Sequence, residues 1–110
     1  MQDIINEIKT WGSSYSISGL NLPQIRDVCE QIKRAYDADL ESMAVDIINT
    51  IDILNEVSAE MSNGEYNNIA WSIRGNFDNL CHLCTGISCL DKKSALQATA
   101  AMLKHVYNLG

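Results

Sequence analysis

The chain has 110 residues and a net charge of −6, from 14 acidic and 8 basic side chains, with one proline and six glycines. That length suits one domain with a real core, and so few turn residues exclude an all-β chain, which needs them at every hairpin. An acidic surface repels phosphate, which argues against direct nucleic-acid binding through counterion release, and no apolar run is long enough to cross a membrane.

The N-terminus is acidic from Asp3 and lacks the basic and apolar regions of a secretory leader, so a cytoplasmic location is expected. Residues 2–11 predict a short amphipathic helix with Ile4, Ile5, Ile8 and Trp11 on one side, closed by Gly12. Residues 12–22 are rich in Ser, Gly and Asn and read as an ordered loop, pinned by Ile17, Leu20 and Leu22. Pro23 is expected at the first helical position, where its missing N–H costs nothing.

From there Ile25, Cys29, Ile32 and Tyr36 form an apolar stripe that stays in phase with Leu40, Met43 and Ile47. A single helix over 23–61 would far exceed the usual ~11–12 residues, so a bend or break is expected near 37–39, with Asp39 a candidate cap for the second piece.

The strongest signal runs from Leu40 to Leu83. Leu40, Met43, Ile47, Ile51, Leu54, Val57 and Met61 recur at helical steps, and after Ser62-Asn63-Gly64 the pattern resumes with Tyr66, Ile69, Ala70, Ile73, Phe77, Leu80, Cys81 and Cys84. Asn63 or Gly64 is expected to end the first arm in a left-handed conformation, and so short a connection predicts an antiparallel return. Gly75, mid-helix, is expected where another backbone packs close.

Ser88-Cys89-Leu90-Asp91 reads as a capping box for the last helix, whose buried side is expected to comprise Leu96, Thr99, Ala100, Leu103, Val106 and Tyr107. Lys104 and His105 are expected in its final turns, where cations complement the dipole. The fold expected is an all-α, single-domain bundle of four to five helices built on a long antiparallel helical hairpin. Its segments are 1–22, 23–61, 65–87 and 89–108.

Cys81-His82-Leu83-Cys84, followed by Cys89, is the one cluster with metal-ligand residue types, and Cys29 or His105 is the candidate fourth ligand. The pair falls in phase with Phe77 and Leu80, and no second C-x2-C or H-x3-H completes a site. The thiols are therefore read as reduced core residues, with no metal and no cofactor. Redox catalysis is disfavoured too, since a C-x-x-C pair late in a helix meets the wrong end of the dipole.

His82-Leu83-Cys84-Thr85-Gly86 resembles the H-x-x-K-G motif of histidine phosphotransfer domains, without the lysine. Ala70-Trp71-Ser72-Ile73-Arg74-Gly75 is similar to the same family's A-H-x-L-K-G, with tryptophan in place of the phosphorylated histidine. The resemblance implies a helical signalling domain with His82 as phosphoacceptor. The bland alternative is a histidine bordering the core.

Glycine-rich phosphate loops, G-x-S-x-G and H-E-x-x-H are absent, and neither histidine has the glutamate three residues earlier that di-metal bundles use. No enzyme is expected. Asp46, Asp52, Glu56 and Glu60 read as an acidic outer face, solvated or set to meet a protein partner with a basic surface.

The leading expectation is a small acidic cytoplasmic inhibitor, adaptor or regulator that works by protein–protein contact, of the immunity, antitoxin or anti-defence kind. Trp11, Tyr36, Trp71 and Tyr107 suggest a homodimer, because Trp and Tyr are enriched at interfaces. The alternatives are a phosphotransfer-like or thiol- and metal-sensing protein centred on 81–89, and an acidic nucleic-acid mimic.

Overall fold

The computed structural model describes residues 21–35, 38–84 and 91–109. They form α1 (Leu22–Ala35), α2 (Ala38–Val57), a single 3-10 turn (Ser58–Glu60), α3 (Asn63–Cys84) and α4 (Lys92–Leu109). No strand occurs among the described residues, and the architecture is an all-α bundle. The expected helix over 2–11, most of the 12–22 loop, Tyr36 and Asp37 at the expected bend, and Ser88 with Cys89 lie outside the described residues.

α2 packs against α1, α3 and α4 and is the centre of the bundle. Its apolar residues explain why. Leu40, Met43, Ile47, Ile51 and Leu54 follow the three-and-four step of one helical stripe, while Ala44 and Ile48 widen it, and all seven are buried. Ile25, Cys29 and Ile32 of α1 and Ile69, Ala70, Ile73, Phe77, Leu80 and Cys81 of α3 are buried too, as the periodicity predicts. Phe77 is the largest fully buried side chain, and truncating it to alanine would cost about 3–5 kcal/mol in lost burial and cavity. The buried hydroxyls are satisfied within their own helices: Thr50 donates to the Asp46 carbonyl at 2.7 Å and Thr99 to the Leu96 carbonyl at 2.9 Å.

Local polar pairs fix three helix starts, and they differ from the expected ones. Asn21 caps α1. Its Oδ1 accepts from the Gln24 backbone N–H at 3.0 Å while Gln24 Oε1 accepts from the Asn21 N–H at 2.9 Å, so Leu22 takes the first helical position and Pro23 the second.

Ser62-Asn63-Gly64 does not end a helix in a left-handed glycine. α2 closes through the 3-10 turn, Met61 is extended at φ −114° and ψ 157°, and Asn63 and Gly64 already belong to α3. The cause is a reciprocal Ser62–Glu65 pair. The Glu65 N–H donates to Ser62 Oγ at 3.2 Å and the Ser62 N–H to Glu65 Oε1 at 3.4 Å, satisfying two of the otherwise orphaned donors.

Asp91 is itself the cap of α4 rather than the third residue of a box. Its carboxylate accepts from the Lys93 N–H at 3.2 Å and from the Ser94 hydroxyl at 2.7 Å. Those bonds hold its pKa below the usual carboxylate range, the Ser94 hydroxyl contributing most. Asp39, expected as a possible cap, lies within α2 and pairs with Lys92 at 3.1 Å, joining the starts of α2 and α4.

Three further expectations are corrected. The buried stripe of α4 is Ala95, Thr99, Met102 and Val106, whereas Ala100 and Tyr107 face solvent. A stripe through 95, 99, 102 and 106 has the same helical step as the expected one, and it hides Met102 in place of the amphipathic Tyr107. α4 also continues to Leu109, so Lys104 and His105 stand inside it rather than in its last turn. Gly75, finally, is exposed, and a methyl group built there would meet nothing within 4 Å. Among the described residues, no backbone packs on it.

Candidate functional site

The cysteines carry the chain's metal-ligand pattern, Cys81-His82-Leu83-Cys84. The stripes that bury α1 and α3 also bury Cys29 and Cys81, and leave Cys84 half-exposed one turn further along α3. Burial pushes the Cys29 and Cys81 thiols well above their ordinary value of 9.0, and Cys84 pushes both further in the same direction. A thiol held so firmly in its protonated form is a poor nucleophile. Among the described residues, no three His, Cys, Asp or Glu side chains are grouped to hold a metal ion. Cys89 lies outside the described residues. His105 belongs to another place in the bundle, a groove between α3 and α4.

His82 is half-buried on α3, with Nε2 at 3.7 Å from Oδ1 of Asp78 one turn earlier. A phosphoryl group on that nitrogen would face a carboxylate, which opposes the transfer chemistry that the H-x-x-K-G resemblance implies. Trp71, at the second such window, is 70% exposed.

The four acidic residues do not form one free face. Asp52 is gripped by Arg26 of α1, with Nε donating to Oδ1 at 2.8 Å and Nη2 to Oδ2 at 3.0 Å. This forked hydrogen bonding by Arg26 lowers the Asp52 pKa against a smaller opposing effect of burial. Glu30 extends the network, accepting from Arg26 at 3.5 Å and pairing with Lys33 at 3.1 Å.

Asp46 is half-buried and its pKa is raised by desolvation. Six residues before Asp52, it is turned away from it by roughly a third of a helical turn. Glu56, near the end of α2, and Glu60, in the 3-10 turn, are exposed. Of the set, only those two are exposed and, among the described residues, make no ion pair.

A groove of about 340 Å³ lies between α3 and α4. Ile69, Ala98, Ala101 and Met102 supply apolar walls, Asn68, Ser72 and His105 are polar and exposed, and Asn76 also lines it. Asn76 is 8% exposed. Its Nδ2 donates to the Ser72 carbonyl at 3.0 Å and reaches Met102 Sδ at 3.3 Å. The Ser72 carbonyl can only accept, which fixes the amide orientation and leaves Oδ1 as the free end.

Among the described residues no hydrogen bond reaches that oxygen. The periodicity passes over Asn76, although one signal was present: a polar residue between Ile73 and Phe77 inside a buried stripe. No protein-family model matches this chain, and no curated protein or solved structure matches it either.

Proposed function

We propose that this chain is a non-enzymatic protein–protein interaction module, a small acidic inhibitor, adaptor or regulator that acts through its surface. The observation that carries the reading is Trp71, 70% exposed on α3. An indole left in water forfeits the largest apolar burial any side chain offers, and tryptophan in that state is typical of a surface that a partner covers. The chemistry-bearing side chains point the same way. The Cys29 and Cys81 thiols are buried, Asp52 is engaged by Arg26, and His82 stands beside Asp78.

The same reading takes α2 and α3 as an antiparallel hairpin within a bundle of four or five helices. It places the protein in the cytoplasm, with a basic protein partner meeting Glu56 and Glu60. Affinity capture from source cells, comparing the wild-type chain with Glu56→Lys/Glu60→Lys, tests it. A basic protein held in stoichiometric amount by the wild type and lost from the double variant is the expected result. Capture of no protein, or equal capture by both forms, overturns the reading.

A further inference from the structure

We propose that a second apolar stripe on α4, formed by Leu96, Ala100, Leu103 and Tyr107, is the docking face of the chain's own N-terminal segment. That segment is residues 2–11, the amphipathic helix that the sequence predicts. This docking is independent of the partner reading of Glu56 and Glu60, and each can fail alone.

Each member of the stripe directly follows one of the buried residues Ala95, Thr99, Met102 and Val106, so the two stripes lie side by side on one helix. Steps of four, three and four keep Leu96, Ala100, Leu103 and Tyr107 on a single face. α2 and α3 pack on α4 but leave Leu96 and Leu103 half-exposed, Ala100 exposed and Tyr107 61% exposed. A helix in a bundle turns its apolar stripe to a neighbour, and the described helices leave this stripe largely uncovered.

The helix ends bring the N-terminal chain to that stripe. Lys92 pairs with Asp39 at 3.1 Å, joining the starts of α2 and α4, and the two helices pack along each other, so they run the same way. Arg26, near the start of α1, grips Asp52. Asp52 lies as far along α2 from Asp39 as His105 lies along α4 from Lys92. The start of α1 therefore stands at the end of the bundle where α4 finishes with Tyr107. Residues 12–20, between the segment and Asn21, span up to roughly 30 Å when extended. That exceeds the 26 Å and 24 Å widths of the bundle.

Dimensions match as well. As a helix, residues 2–11 are about 15 Å long, and Leu96 to Tyr107 cover about 16 Å. Ile4, Ile8 and Trp11 recur at steps of four and three, the spacing of the stripe itself. Ala100 leaves room in the middle of the stripe for a branched isoleucine.

Charge selects the occupant. In a chain of net charge −6, α4 carries Lys92, Lys93, Lys104 and His105 and no acidic residue. Exposed Lys93 and Lys104 border the stripe, each three residues before one of its members. Asp3 and Glu7 of the segment suit that border. A second copy docking stripe to stripe would set lysine against lysine, and a basic partner would meet the same repulsion.

Tryptophan fluorescence of the full chain tests this, because Trp71→Phe leaves Trp11 as the single tryptophan. Trp71 is exposed, so the replacement keeps the fold. Trp11 should then emit at the short wavelengths of a buried indole and resist acrylamide quenching, at every protein concentration. Ala100→Glu in that background puts a charge in the middle of the stripe and should weaken docking about tenfold or more. The readout is a red shift and a rise in quenching, with cooperative thermal unfolding retained. Tyr107→Lys, at an exposed position, should do the same. Ala101→Glu, on the groove side of the same helix, should leave Trp11 shielded.

A Trp11 as open to acrylamide as in the urea-unfolded chain overturns the proposal. So does shielding that survives either stripe variant, or that Ala101→Glu removes equally, because the segment then lies elsewhere. Shielding that fades on dilution, as a dimer dissociates to the 12.2 kDa chain, overturns it too by placing the segment on a second copy.

Discussion

Arg26 of α1 holds Asp52 of α2 through two parallel hydrogen bonds, at 2.8 Å and 3.0 Å, and so ties the outer surfaces of the two helices together. The side chains are 36% and 43% exposed, so solvent screens the pair and its worth is at most about 1 kcal/mol. The folded-state pKa of Asp52 lies below the ordinary 3.8. Its stabilising contribution is therefore complete above that value and is lost as pH falls through the lowered folded pKa. Asp52→Asn should lower the urea midpoint at neutral pH by an amount corresponding to about 0.5–1 kcal/mol, and the gap between variant and wild type should close in acid. A gap that persists once the pH has fallen well below the lowered folded pKa would show that the carboxylate charge is not its source.

Gly75→Ala should stabilise the fold. The added methyl group meets nothing within 4 Å among the described residues, and α3 continues regularly on both sides of the glycine. The gain is about 1 kcal/mol, from helix propensity and a less flexible unfolded chain. Urea denaturation measures it, and a decrease in midpoint would mean that the position does touch another backbone.

Ser62→Ala should destabilise by about 1 kcal/mol, because both hydrogen bonds made by the side chain, to the Glu65 N–H and to the Glu65 carboxylate, disappear together. Ser62→Asp, which keeps an acceptor at the cap, should recover most of the loss. Equal losses for both variants would remove the capping explanation for where α3 begins.

The thiols should divide by depth. Cys29 and Cys81 should resist iodoacetamide in the folded protein and react on denaturation, while half-exposed Cys84 reacts first. Site-resolved mass spectrometry reads this directly. Cys81→Ser should cost about 1–3 kcal/mol, the penalty of placing a hydroxyl where an apolar thiol sat. A neutral Cys81→Ser would mean that the site supplies a hydrogen-bond partner.

Much of the fold was legible from periodicity alone. The stripes from Leu40 to Leu54 and from Ile69 to Cys81 are buried as their spacing predicts, because a three-and-four step admits one buried face when the stripe is strongly apolar. α4 was legible as a helix but only in part by face: Thr99 and Val106 are buried as expected, Ala100 and Tyr107 are not. Its alanines and single aromatic leave two stripes nearly equal in hydropathy, and packing chose the one with Met102.

The helix starts were misread where short polar side chains compete. At 62–65 a serine and a glutamate three apart outweigh an adjacent Asn-Gly, and no periodicity registers that contest. The acidic set failed as a single site for a different reason. Asp52 meets Arg26, twenty-six residues away in sequence, and one helix's pattern carries no sign of it. Asn76 was hidden in the same way, since a polar residue within a stripe gains its meaning only when Ala98, Ala101 and Met102 are placed opposite it.

Whether the chain works by surface recognition or by a reactive group is tested most directly by affinity capture with three forms of the full protein. These are the wild type, His82→Ala/Cys84→Ala and Glu56→Lys/Glu60→Lys. His82 and Cys84 are half-exposed, so the first variant should fold. Surface recognition predicts undiminished partner capture by His82→Ala/Cys84→Ala and at least a tenfold loss with Glu56→Lys/Glu60→Lys, the effect of removing a charge pairing worth about 1.4 kcal/mol. Capture abolished by the His82 and Cys84 changes and untouched by the charge reversal would contradict it.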